Sequence, residues 1–199
     1  MDDIVRQAMA KWPNVPAVFG WLSLDRRGNW LIKGESIANA QINEFINRNY
    51  LHDEAGRWFF QNGPQRVFVD LAYAPFVYRV PGHPASLDIY THTQQRVNGI
   101  RAAWIDNDGT LLLETEHGTG HVHDQDLEWL LPSFVDGDGR ALDEDTLEAR
   151  FDCYAAGHVD DAGGHLWFQH ASAHLRIETL RTRDVPARFG FVPKPESTA

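Results

Sequence analysis

The densest run of groups able to do chemistry spans Glu114 to Asp126: Glu114-Thr-Glu116-His117-Gly-Thr-Gly-His121-Val-His123-Asp124-Gln-Asp126. Imidazole and carboxylate groups suit zinc and other divalent ions, so Glu116, His117, His121 and His123 are the candidate ligands of a divalent metal. On a strand His121 and His123 would point the same way, because side chains alternate. If the four converge, the chain is a metal-dependent enzyme. If they do not, the run is a solvated loop that enters a helix with Asp124 as its N-cap. The zinc-hydrolase pattern H-E-x-x-H is absent from the sequence.

Other reactive groups are scattered. His165, His170 and His174 flank one expected hairpin, with His158 close in sequence, and would make a pH-responsive patch. Cys153 sits in Phe151-Asp-Cys-Tyr154, read here as a strand with a small buried thiol. Asp136-Gly-Asp-Gly139 opens like a calcium loop, but its twelfth position is Leu147, so it reads as a turn. No phosphate loop, dinucleotide glycine fingerprint or G-x-S-x-G elbow occurs. Aromatic residues make up 12% of the chain, including seven Trp, which supplies either a β-rich core or a stacking platform. The candidate ligand-binding residues are therefore Trp58, Phe60 and Arg66 on one hairpin, with Asp70 and Glu178. Those two acids close similar apolar strands, where they fix loops by accepting N–H bonds or form a pair for acid/base work.

These residues need elements to hold them. Ile4, Val5, Ala8, Met9 and Trp12 recur at helical spacing behind Asp2, predicting an amphipathic N-terminal helix that Pro13 and Pro16 end. It would dock on its own sheet or join a second copy through residues 2–12. A hairpin follows, 18–24 and 29–33, turning at Asp25-Arg-Arg-Gly28. Ile42, Phe45, Ile46 and Tyr50 mark a helix over 39–50. Strands at 57–61 and 66–71 flank Asn62-Gly63, and 74–80 runs extended to a boundary at Pro81-Gly-His-Pro84. The second half predicts strands at 100–105 and 110–114, helical spacing at Leu127, Leu130 and Leu131, and strands at 152–159, 165–169 and 175–180. Asp160-Asp-Ala-Gly-Gly164 is the turn among these last strands.

Set side by side, the halves match in residues as well as in pattern. Asp53–Gln61 aligns with Asp161–Gln169, and Arg66–Asp70 follows without a gap on His174–Glu178. Gly28-Asn-Trp-Leu31 aligns with Gly109-Thr-Leu-Leu112, and Gln41–Ile46 with Gln125–Leu130. The expected fold is α+β and antiparallel-rich: two related strand–strand–helix–strand–strand units, 18–84 and 85–192. A helix and linker (1–17) precede them and a tail (193–199) follows.

The first unit also resembles a bacterial family of conserved proteins known as domain of unknown function 1285. The residues that carry the resemblance are Asp25…Gly28-Asn-Trp30…Gly34…Ile37, then Asp53…Gly56-Arg-Trp58-Phe59…Pro64…Val67-Phe-Val69-Asp70, then Ala74-Pro-Phe76. It spans roughly residues 20–80, and departs from the family's pattern where Leu71-Ala-Tyr73 separate Asp70 from Ala74. The resemblance implies the fold and names no reaction.

Composition narrows the function classes. With 18 basic against 28 acidic residues and a net charge of -10, the chain lacks the basic face that displaces counterions from nucleic acid. No run reaches the roughly 18 apolar residues of a membrane helix. Met1-Asp2-Asp3 is unlike the basic start of a secretory signal, and the single cysteine forms no internal disulfide, so the cytoplasm is expected. The leading expectation is a non-enzymatic module that binds a small molecule or a protein.

Overall fold

The computed structural model describes residues 1–12, 15–82, 87–157 and 164–197. The chain forms two compact units: Met1–Pro75 with His92–Gln94 and Pro186–Ala199, and Phe76–Thr91 with Gln95–Val185.

In the first unit, α1 (Asp3–Lys11) precedes β1 (Val18–Leu24), β2 (Trp30–Ile32) and β3 (Glu35–Ser36). After α2 (Ala40–Arg48) come β4 (Tyr50–His52), β5 (Trp58–Asn62) and β6 (Gln65–Leu71). The sheet order is β3-β2-β1-β6-β5-β4, with β1 parallel to β6 and the other neighbours antiparallel. The β1–β2 turn forms because the Asp25 carboxylate accepts the N–H groups of Arg27 and Asn29, while Gly28 takes a positive φ of 81°. Asn39 starts α2 by accepting from the N–H groups of Gln41 and Ile42. Ile46 of that helix is buried, and Phe45 meets Phe60 edge to face. Helix α1 docks on its own unit. Val5 is buried, and Asp2 holds Arg48 with its carboxylate and Asn49 with its N–H, so its side chain does not cap the helix.

In the second unit, β7 (Phe76–Arg79), β8 (Tyr90–Thr91), β9 (Ile100–Asp106), β10 (Leu111–Thr115) and β11 (Thr119–Val122) lead to α3 (Leu127–Leu130). Then follow β12 (Phe134–Val135), α4 (Glu144–Ala155), β13 (Trp167–His170) and β14 (Ala173–Leu180); α5 (Val185–Phe189) leads out. The order is β12-β13-β14-β9-β10-β11-β7-β8, with β14 parallel to β9 and β11 parallel to β7. The result is the expected α+β, antiparallel-rich fold with an N-terminal helix.

Strands β9–β14 of the second unit follow the order of β1–β6 in the first. Register agrees too: Ser23 lies opposite Asp70 where Trp104 lies opposite Glu178, and Tyr50 opposite Phe60 where Phe134 lies opposite Phe168. Asp106 holds the N–H groups of Asp108 and Thr110 as Asp25 holds its turn.

Several expectations change. Residues 76–79 join the second sheet by pairing with β11, so the first unit ends its run at Pro75. The turn that answers Asp53–Arg57 is Asp136–Arg140: it follows β12 as Asp53 follows β4, and Asp136 accepts from Asp138 N and Arg140 N. Of the turn proposed at Asp160–Gly164, only Gly164 lies within the described residues, as do Pro81 and Gly82 of the Pro81–Pro84 boundary. The strand expected from 152 is helix α4. Leu147, Phe151 and Tyr154 share a helical face, Asp143 caps the start through Thr146 N, and Cys153 is exposed. Short alternating runs read equally as strand or helix, which is why the period misled.

Candidate functional site

Within the polar run, Glu116, His117, His123 and Asp126 are engaged locally. The Glu116 carboxylate accepts from Asn98 N at 2.6 Å, Asn98 Nδ2 at 3.1 Å and Gly99 N at 3.3 Å. Burial opposes its charge, but the N–H groups of Asn98, Glu116 and Gly99 and the nearby His117 outweigh that and hold its pKa below the ordinary value. His117 Nε2 lies 2.8 Å from Arg96 O and 3.5 Å from Glu116 Oε1. His121 is buried in β11 between Leu112 and Val77. His123, just beyond that strand and also buried, caps the following turn by accepting from Gln125 N at Nδ1, the role expected of Asp124. Asp126 accepts from Arg79 Nε at 2.6 Å and from the buried Val80 N at 3.0 Å. The structure brings Glu116 beside His117. Among the described residues, no three His, Cys, Asp or Glu side chains gather where they could hold one metal ion.

The histidines around β13 and β14 are separate too. His165 contacts Arg176, His170 Nε2 lies 2.6 Å from Leu87 O, and His174 stacks on Trp167 at 4.6 Å. His158 lies outside the described residues.

The ligand candidates divide between the two faces of the first sheet. Trp58 and Phe60 are buried on the α2 side, where Trp58 packs 4.8 Å from Tyr50. Side-chain alternation sends Arg57, Phe59 and Gln61, with Arg66, Phe68 and Asp70, to the other side. Asp70 Oδ1 is buried with no hydrogen-bond partner among the described residues, and burial pushes its pKa up, with Lys194 acting against the shift. Glu178, in the other unit, is exposed and accepts from Trp104 Nε1 at 3.0 Å.

Over that second face lies a cavity of about 680 Å³ lined by Phe19, Phe68, Arg57, Arg66, Gln61 and Trp12, among others. Its floor is aromatic: Phe19 stacks on Phe68 with centroids 4.5 Å apart and planes within 7°. Arg57 lies over Phe68 of that floor and Arg66 over the buried Phe59 beside it, each 4.9 Å from the ring centroid. Met9 and Trp12, at and just after the end of α1, supply further wall, and Trp12 stays half exposed.

The two cations differ in their partners. Arg57 is held by Asp53 at 2.7 Å. Burial disfavours the Asp53 charge, yet Arg57 and the N–H groups of Arg57 and Ala55 more than compensate, so its pKa falls below the ordinary 3.8. Arg66 has no carboxylate partner among the described residues, and its charge is available to a ligand. A smaller apolar cavity of about 400 Å³ lies on the α2 side against Phe60, Ile42 and Trp21. In the second unit a cavity of about 500 Å³ is lined by Ser133, Gln169 and His170 and by no Lys or Arg.

The fold and this site define an α+β protein of two sheet-based units, with a cation-lined, aromatic-floored cavity in the first. The chain belongs to the family described as "Protein of unknown function (DUF2946)", which it matches over residues 1–196. No curated protein matches it. Among solved structures it is similar to a DUF1285 family protein from Silicibacter pomeroyi DSS-3. The two are 14% identical with a TM-score of 0.53, covering 90% of this chain and 97% of that one. A DUF1285 family protein from Shewanella baltica OS155 is 17% identical with a TM-score of 0.40, over 52% of this chain and 84% of that one. The resemblance noted in residues 20–80 thus reappears as a likeness of fold.

Proposed function

We propose that the protein is a non-enzymatic binding module of the cytoplasm whose first unit takes a small anionic molecule in the cavity above β5 and β6. The observation that carries this reading is Arg66. It is a guanidinium set over an aromatic ring at the wall of a cavity of about 680 Å³, without a carboxylate partner among the described residues, in a chain of net charge -10. Pockets of this size suit small ligands, and a guanidinium fork is the side chain best fitted to a carboxylate or phosphate. Arg57, already tied to Asp53, adds donors and less net charge. The lone cysteine accords with a reducing compartment, and among the described residues no helix is long and apolar enough to cross a membrane.

Titration calorimetry with 2-naphthoate and the neutral 2-naphthamide tests the charge requirement. The acid is expected to bind and the amide to bind at least tenfold more weakly. Arg66→Gln should remove the acid's advantage, since a charge-assisted hydrogen bond contributes about 1.5–3 kcal/mol. Equal binding of acid and amide, or an unaltered Arg66→Gln variant, would reject an anion site here.

A further inference from the structure

Resting on that reading of the cavity, we infer that the anion it takes is borne on a planar aromatic ring system rather than on a saturated or purely inorganic group. The floor of the cavity, more than its cations, favours a ring. Phe19 and Phe68 stand parallel at 4.5 Å and both line the cavity. Phe68 is almost wholly buried, whereas Phe19 keeps part of its surface open, so the stack has one member left to extend it. Phe59, next to Phe68 across the β5–β6 pair, is buried beneath Arg66 and backs that floor from within the sheet. A site for inorganic phosphate needs convergent donors and gains nothing from two stacked rings. A saturated acid gains apolar burial but not the quadrupole match that favours ring against ring.

The positions of the cations fit the same ligand. Each guanidinium carbon stands 4.9 Å from the centroid of a phenyl ring of this sheet face, and both arginines line the cavity beside Phe19. A flat ligand stacked on Phe19 would therefore carry its acidic group inside the cavity that Arg66 also lines, where guanidinium donors suit it. The volume of about 680 Å³ leaves room for two fused rings and their hydration. Trp12 and Met9 on the opposing wall add an aromatic and a polarisable side chain, the pair expected around a flat apolar body.

The test compares 2-naphthoate with its saturated counterpart, decahydro-2-naphthoate, and with inorganic phosphate, by calorimetry on the full chain. The aromatic acid should bind about three- to tenfold tighter than the saturated one, the range for a ring pair beyond its burial. Phe19→Leu, which keeps an apolar side chain and removes the ring, should bring the two acids together while Arg66 still binds both. Proton signals of bound 2-naphthoate should move upfield in the unmodified protein, a readout independent of whether the variant folds. If the saturated acid or phosphate binds as well as the aromatic acid, or the naphthoate signals do not move upfield, the aromatic inference fails while an anion site stands. If none of the three anions binds, both fall.

Discussion

Asp126 closes the polar run in which the sequence suggests a metal, and the structure gives it a different task whose size can be worked out. Its carboxylate is almost fully buried and accepts from Arg79 Nε and from Val80 N, the latter belonging to a residue only 1% exposed. Replacing Asp126 by Ala removes both acceptors. The Val80 N–H is then left buried without a partner, at about 1–3 kcal/mol. The Arg79 side chain is 45% exposed and can return to water, so loss of the ion pair itself adds only about 0–1 kcal/mol. The expected destabilisation is therefore about 1–4 kcal/mol, a fall in Tm of roughly 2–16 °C for a chain of this size. Asp126→Asn keeps an oxygen for Val80 N–H and should cost about 1 kcal/mol. Arg79→Ala should cost no more than that. Urea unfolding followed by tryptophan fluorescence and by far-UV circular dichroism measures all three. The reasoning is refuted if the Asn variant is as damaged as the Ala variant, since the charge pair and not the N–H acceptor would then carry the energy. It is also refuted if Asp126→Ala costs less than about 0.5 kcal/mol.

Two aspartates of the first unit should give opposite acid limbs. Asp53 has a folded pKa below the ordinary 3.8, so the unfolded chain binds more protons in that window, and its stabilisation is present above 3.8 and lost as pH falls. Asp53→Asn should flatten the loss of stability at acid pH. Asp70 is shifted upward by burial, so its charge costs stability once pH rises above its folded pKa, and Asp70→Asn should raise Tm at neutral pH and not at pH 3. Thermal melts across pH 3 to 8 decide both; a lower Tm for Asp70→Asn at neutral pH would contradict the burial argument. Glycines at positive φ should also separate. Gly109 has φ 74° and open space, so Gly109→Ala should cost about 1–2 kcal/mol. Gly56 has the same φ, but an added Cβ would stand 2.0 Å from Gly190 O, so Gly56→Ala should cost about 3 kcal/mol or more. Equal losses for the two in denaturant titrations would show that the segment at Gly190 yields freely.

The legible part of the fold was the part written in turn chemistry. Asp25…Gly28 and Asp106…Gly109 each place an acceptor and a positive-φ glycine where a hairpin needs them, and both hairpins are present. Very short strands were not legible: β3, β4, β8 and β12 have two or three residues, too few for alternation to show, and are fixed by the neighbours they pair with. β11 was hidden for another reason. Its polar residues read as a loop, but His121 lies buried between two strands, a tertiary environment no local pattern announces. The cavity was half legible. Arg66 stood out as a cation on an aromatic hairpin, while its ring neighbours in sequence, Trp58 and Phe60, proved to face the opposite side. Alternation from Arg66 to Phe68, and across the pair to Phe59, would have found the right face.

What differs between the two sheets at matching register is more informative than what they share. Gln61 lies opposite Arg66 and Gln169 opposite His174, one rung from each hairpin's end. In both sheets the basic residue rests on the aromatic one of the neighbouring strand: Arg66 on Phe59 at 4.9 Å, His174 on Trp167 at 4.6 Å. The rung therefore keeps its geometry and changes its chemistry. Two positions further along the second strand, the first sheet has Phe68 and the second has Arg176, which turns to His165. The second sheet thus has a charge where the first has the ring that floors the cavity, and the cavities of about 500 and 320 Å³ near its hairpin are lined by no Lys or Arg. Phe68 is therefore one residue on which the stacking proposed for the first sheet depends. Placing Arg at position 68 should accordingly abolish binding of 2-naphthoate even with Arg66 intact. A Phe68→Arg variant that folds and still binds the acid would show that charge alone makes the site.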